Sequence, residues 1–167
     1  MLRKEPIVAE CSVTDWLLES SRDPRRALLE WNRVGMTLLR CGELFTAIRL
    51  PVSLVEAAAS TTDPVVLNEY LDRLLFSRPV IRCNLGQWYY VLVPPEVAEW
   101  WRFPDAECLQ PLTDLGVPRP DLTKCPGLTG SYWAVPMRKS GDLAEPEVVS
   151  QLIAFGRYNS ASRGGAS

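Results

Sequence analysis

The chain contains no histidine. That absence removes the commonest general base near neutral pH, and with it Ser-His-Asp and Cys-His nucleophile activation and most catalytic zinc sites. Its five cysteines, Cys11, Cys41, Cys83, Cys108 and Cys125, are widely spaced and include no C-x-x-C pair. Neither a zinc nor an iron–sulfur cluster is therefore suggested, and free thiols are expected. The glycines never fall into the G-x-G-x-x-G or G-x-x-x-x-G-K spacing that brings backbone amides to phosphates. No cofactor is predicted. No apolar run approaches the ~20 residues needed to cross a bilayer, and the start Met1-Leu2-Arg3-Lys4-Glu5-Pro6 lacks a signal-peptide core. The sequence predicts a cytoplasmic chain without a membrane partner.

Lysine is scarce too. Of 18 basic residues only Lys4, Lys124 and Lys139 are lysines, and the rest are arginines. Arginine enrichment suits phosphate or carboxylate recognition and equally reflects arginine-rich coding. The formal net charge of -2 provides no overall basic field for a nucleic-acid backbone.

What is present is an ordinary globular composition, 47% hydrophobic and 23% charged over 167 residues. A chain of that length makes one domain, burying roughly 70% of the surface that it exposes when unfolded. The reading divides it into an N-terminal extension (1–11), a single domain (12–158) and a flexible C-terminal tail (159–167). Thr14-Asp15 and Asp23-Pro24 signal two short helices between 12 and 33. Met36–Leu39 and Leu44–Ile48 read as a hairpin around Gly42. Ser53 caps a helix to Ala59, and Asp63-Pro64 opens an amphipathic one through Leu75.

A second hairpin pairs Pro79–Cys83 with Trp88–Val93 around Asn84-Leu85-Gly86. Alternation places Trp88, Tyr90 and Leu92 on one face of its second strand and Tyr89, Val91 and Val93 on the other. With both faces apolar, that strand is predicted to be central and covered on both sides. Short strands are expected near Glu107–Leu109, Leu115–Val117 and Tyr132–Val135, and a last helix from Pro146 to Phe155. The fold class is α+β, an antiparallel or mixed sheet built from hairpins with short helices packed on it.

Candidate functional residues come from the second half, where aromatics and arginines mix. Trp88, Trp100, Trp101, Arg102, Arg119 and Tyr132 are the binding candidates, since such a mixture anchors protein interfaces or stacks bases and pairs phosphates. Trp100 and Trp101 are ~100° apart on a helix, so one indole is expected outside the core. Gly116-Val117-Pro118-Arg119-Pro120 reads as a restricted surface loop presenting Arg119. Asp105-Ala106-Glu107 would project two carboxylates from one strand face, as a divalent-metal site needs; the competing reading is a solvated loop, and no metal or catalytic residue is assigned.

Asp23-Pro24…Glu30-Trp31, Met36 to Leu39, Tyr90-Val91-Leu92-Val93-Pro94-Pro95, Leu115 to Pro120 and Tyr132-Trp133-Ala134-Val135-Pro136 together resemble small actinobacterial proteins. Some of these are similar to the N-terminal domain of bifunctional DNA primase/polymerases. The resemblance touches much of the span from 23 to 155 through short apolar motifs. Active members of that polymerase family carry a D-x-D-type metal motif and a histidine motif for the nucleotide, whereas this chain has Asp105-x-Glu107 and no histidine. The resemblance thus implies a scaffold without catalysis. Two functions are expected from these readings: a non-enzymatic interaction or regulatory protein that binds another protein or itself, as a homo-oligomer, or a catalytically degenerate primase/polymerase-like protein that binds nucleic acid.

Overall fold

The computed structural model describes residues 12–128 and 130–165; the expected N-terminal extension, Cys11 and the last two residues lie outside them. Helices α1 (Val13–Leu18) and α2 (Pro24–Val34) start where small polar side chains accept the first free amides: Ser12 takes the Asp15 amide and Asp23 the Arg26 amide. Strand β1 (Met36–Arg40) follows Gly35, whose left-handed backbone (φ 78°) ends α2. Then come β2 (Thr46–Pro51), α3 (Val52–Ala59), α4 (Pro64–Leu74), β3 (Val80–Cys83) and β4 (Trp88–Val93). A 3-10 helix (Pro95–Glu99) leads to β5 (Glu107–Cys108), β6 (Asp114–Pro118), β7 (Ser131–Val135) and α5 (Pro146–Gly165). This is an α+β fold with two antiparallel sheets.

The larger sheet has the order β5-β2-β4-β3-β7, so β4 is its middle strand, as the two apolar faces of 88–93 predict. Tyr89, Val91 and Val93 pack with Leu50, Val55, Leu67, Leu71, Leu152 and Ile153 under α3, α4 and α5. Leu92, Ile81, Ala47 and Trp133 pack on the opposite face with Leu17, Trp31, Leu39, Leu115 and Val117. That second layer is α1, α2 and a separate two-stranded ribbon, β1 with β6. The buried indoles of Trp31 and Trp133 donate to Val117 O (2.9 Å) and Pro118 O (3.0 Å) at the end of β6. Their N–H groups are thereby satisfied inside the core.

Four expectations are corrected. Ser53 does not cap α3, which starts at Val52 after Pro51 with no side-chain cap. Met36–Leu39 and Leu44–Ile48 do not form a hairpin: β1 pairs with β6, while β2 pairs with β4 and β5. The connection between them packs against the turn before β6 instead, where Cys41 donates to Thr113 O and a Cβ on Gly42 (φ 118°) would meet Pro111 Cα at 2.9 Å. Gly116–Pro118 is not a loop but most of β6, with Val117 and Pro118 buried. Finally, the last helix runs to Gly165, past the expected start of a tail at 159. Two packing features hold it there. Gly156 lets α5 approach α3 so closely that a Cβ would lie 2.7 Å from Leu54 O, and Asn159 donates to Ala57 O (2.9 Å) and Ala58 O (3.3 Å), two carbonyls left over at the end of α3.

Among the described residues no helix is long and apolar enough to cross a membrane. Cys41, Cys83, Cys108 and Cys125 are free thiols.

Candidate aromatic and arginine cleft

Pro94-Pro95 ends β4 and turns the chain into the 3-10 helix, which delivers the tandem tryptophans at its end. One indole is buried and the other exposed, as expected, although both lie past the helix and not on it. Trp101 is 5% exposed, its indole donating to Ala106 O at 2.7 Å and its ring lying 4.5 Å from that of Phe103. Trp100 is left 51% exposed, with its ring 6.2 Å from Trp101. Arg102 folds back on the same turn, donating from Nη1 to Trp101 O (2.7 Å) and from Nη2 to Glu99 O (3.1 Å). These bonds satisfy carbonyls that the short helix leaves open, and they fix the guanidinium. Arg102 has no carboxylate partner among the described residues.

A cleft of about 660 Å³ opens beside this turn, walled by Trp88 and Arg49 on one side and by Trp101, Arg102, Phe103 and Glu107 on the other. Arg49 lies over the Trp88 ring, 4.1 Å from its centroid, and donates to Glu107 at 2.8 Å. Asp105 is taken by Arg157 of α5, whose guanidinium also sits 5.8 Å from the Phe103 centroid. The two carboxylates therefore face different arginines. Among the described residues no group of three or more metal-ligating side chains forms. Cys108 also lines the cleft, but burial pushes its thiol up to about 11. At neutral pH it stays protonated and is a poor nucleophile.

Of the six candidates, the structure brings Trp88, Trp101 and Arg102 to this cleft, with Trp100 on the adjacent surface. Arg119 is elsewhere: it donates to Trp31 O (3.2 Å) near the end of α2 and pairs with the exposed Asp121. The Arg119 side chain stays 39% exposed, as a surface reading expects, but the guanidinium is already engaged by these intramolecular acceptors. Tyr132 is buried on β7 and accepts a hydrogen bond from Asn68 Nδ2 at 3.2 Å, facing a second cleft beside α4. Arg49 and Arg157 were not among the candidates. Arg49 was hidden in an apolar strand, and Arg157 belonged to the stretch just before the expected tail.

A third depression, between α2 and the β1–β6 ribbon, has about 480 Å³. Its charges pair with each other, Arg26 with Glu30 at 3.2 Å and both Arg22 and Arg40 with Asp114 at 3.5 and 3.9 Å. Such mutual pairing leaves little charge for a ligand.

Comparison with known families, curated proteins and solved structures finds no match for this chain. The cleft must be read from its own chemistry.

Proposed function

We propose that the protein is a non-enzymatic interaction or regulatory module that binds a protein partner, or a second copy of itself, through the Trp88–Arg102 cleft and the adjoining Trp100. The observation that carries this reading is Arg102, a guanidinium held by two backbone carbonyls and left without a carboxylate among the described residues, lining a cleft with the half-buried Trp88 and following the exposed Trp100 and buried Trp101 in the chain. Rigid aromatic and arginine groups are the usual anchors of protein interfaces, because little side-chain freedom remains to be lost on association. Asp105 and Glu107, each held by an arginine, support a binding reading over a metal-dependent one.

A second reading is supported by the arginine stacked on Trp88, a combination that also suits base stacking and phosphate pairing. On it the protein is a catalytically degenerate primase/polymerase-like nucleic-acid binder. Light-scattering mass, measured alone and with mixed short single- and double-stranded DNA at low and high salt, separates the two. A salt-insensitive dimer that Trp100→Ala and Arg102→Ala return to monomer is the expected result. A DNA-dependent mass shift abolished by salt replaces it with the second reading. A monomer with no DNA response excludes self-association and DNA together, and the module is then tested by capture of a protein partner that the same two variants must fail to retain.

A further inference from the structure

Arg82, on β3, is only 8% exposed. Its Nε is one of four enclosed arginine Nε atoms without a hydrogen-bond partner among the described residues. The other three belong to Arg40, Arg49 and Arg78, and each of these faces a carboxylate, at 3.9, 2.8 and 3.0 Å. Arg82 has no carboxylate within ion-pair distance among the described residues. A buried charge without a counter-charge opposes folding, and its field is weakly screened inside the protein.

The hydrogen bonds around it run one way. Arg82 Nη1 donates to Tyr89 Oη (3.0 Å), Tyr89 Oη donates to Asn68 Oδ1 (3.3 Å), and Asn68 Nδ2 donates to Tyr132 Oη (3.2 Å). Burial holds the Tyr89 phenol up to about 12, so its proton stays in place to be donated. Register makes the row: Arg82 is opposite Tyr89 on one side and Tyr132 on the other, on a single face of the sheet. Tyr132 accepts from Asn68 and so keeps its own O–H proton for donation. Asn68 and Tyr132 both line the cleft of about 450 Å³ between α4 and β7. Each link polarises the next in the same sense, so the Tyr132 hydroxyl, at the end of the relay, is primed as a donor to a negative oxygen in the cleft.

We infer that the α4–β7 cleft is a binding site for the carboxylate of a small organic acid, accepted by the Tyr132 hydroxyl and Lys124, with Arg82 as a positioning residue that polarises the relay. Lys124 lines the cleft and has no carboxylate partner among the described residues. Val65 and Val135 supply an apolar wall for the body of the acid. Glu69 also lines the cleft without an ion-pair partner, whereas Asp72 is held by Arg138 at 3.2 Å. An uncompensated carboxylate in the wall disfavours a second negative charge on the ligand. The site therefore selects a monoanion over phosphate. It lies apart from the Trp88–Arg102 cleft and is independent of the function proposed for that cleft.

Calorimetric titration of the full chain with benzoate, benzyl alcohol and inorganic phosphate tests the site, with benzyl alcohol as a neutral analogue of similar shape. Saturable benzoate binding is expected, with neither of the other two binding comparably. Arg82→Met and Tyr132→Phe should each weaken benzoate by at least about tenfold, the scale of one charge-assisted hydrogen bond, and Arg82→Lys should retain most of the affinity. If Arg82→Met does not fold, Tyr132→Phe, which removes only an oxygen, carries the test. Absence of benzoate binding overturns the inference, as does equal binding of benzyl alcohol or unchanged affinity in Tyr132→Phe. Stronger binding of phosphate overturns the assignment to a monocarboxylate.

Discussion

Arg49 lies over the Trp88 ring and Arg82 over the Tyr89 ring, at 4.1 and 5.0 Å. The rings are neighbours in β4 and point to opposite faces of the sheet, so the same pairing is placed in two different media. Arg49 is about one-third exposed and shares its charge with Glu107. Arg82 is enclosed, meets a phenol where Arg49 meets a carboxylate, and passes its influence along a chain of donors. The contrast shows that an arginine–aromatic contact has no fixed worth. In partial solvent it is a modest surface element that can be offered to a partner, and under cover it commits the surrounding groups to one protonation and one orientation.

The comparison can be strained from its buried end first. Tyr89→Ala removes a fully buried ring and, among the described residues, the one hydrogen-bond acceptor of Arg82, and should cost about 3–5 kcal/mol in urea unfolding. A loss under about 1 kcal/mol would mean that the two pairs are energetically alike. Raising the pH should act next. The Tyr89 phenol ionises near 10 in the unfolded chain and near 12 in the folded protein, so its contribution is complete below pH 10 and disappears as pH climbs to 12. That amounts to about 2–3 kcal/mol, and Tyr89→Phe should flatten this part of the stability profile. At the exposed end, Glu107→Gln removes the carboxylate beside Arg49 and should cost only about 0.2–1 kcal/mol, less at high salt, as measured by urea midpoints in two salt concentrations. Smallest of all, Trp100→Ala should change stability by less than about 0.5 kcal/mol, while abolishing the salt-insensitive association expected of the wild type in light scattering.

Much of the frame was legible because it is local. Asp23-Pro24 and Asp63-Pro64 start helices wherever they stand, and the 88–93 alternation shows two covered faces without reference to any partner. That one of Trp100 and Trp101 is exposed was expected, but for the wrong reason, since both lie beyond the 3-10 helix and not on its faces. What stayed hidden depends on residues distant in the chain. Nothing around Gly42 tells that β1 will choose β6, some 75 residues on, over the strand that follows it. Arg119 read as a free surface group; it is at the surface, but its bond to Trp31 O was hidden because that acceptor lies in another element. The small polar residues after Asn159 resemble a tail, yet α5 runs on to Gly165, docked beforehand by the close fit of Gly156 against Leu54. For the cleft, the sequence supplied Trp88, Trp101 and Arg102 but not Arg49, brought there by sheet register, nor Arg157, which docks from α5 onto the lining residue Asp105.

The two indoles that hang from the end of β6 have a consequence for how the molecule assembles. Trp31 comes from before the ribbon and Trp133 from after it, and both need carbonyls that β6 offers at adjacent positions, Val117 and Pro118. A slip of one residue between β1 and β6 would turn Leu115 and Val117 outward and strand both N–H groups in the dark, at about 1–3 kcal/mol each. The ribbon thus acts as a two-toothed key: it seats in one notch, and the halves of the chain on either side of it check that notch independently.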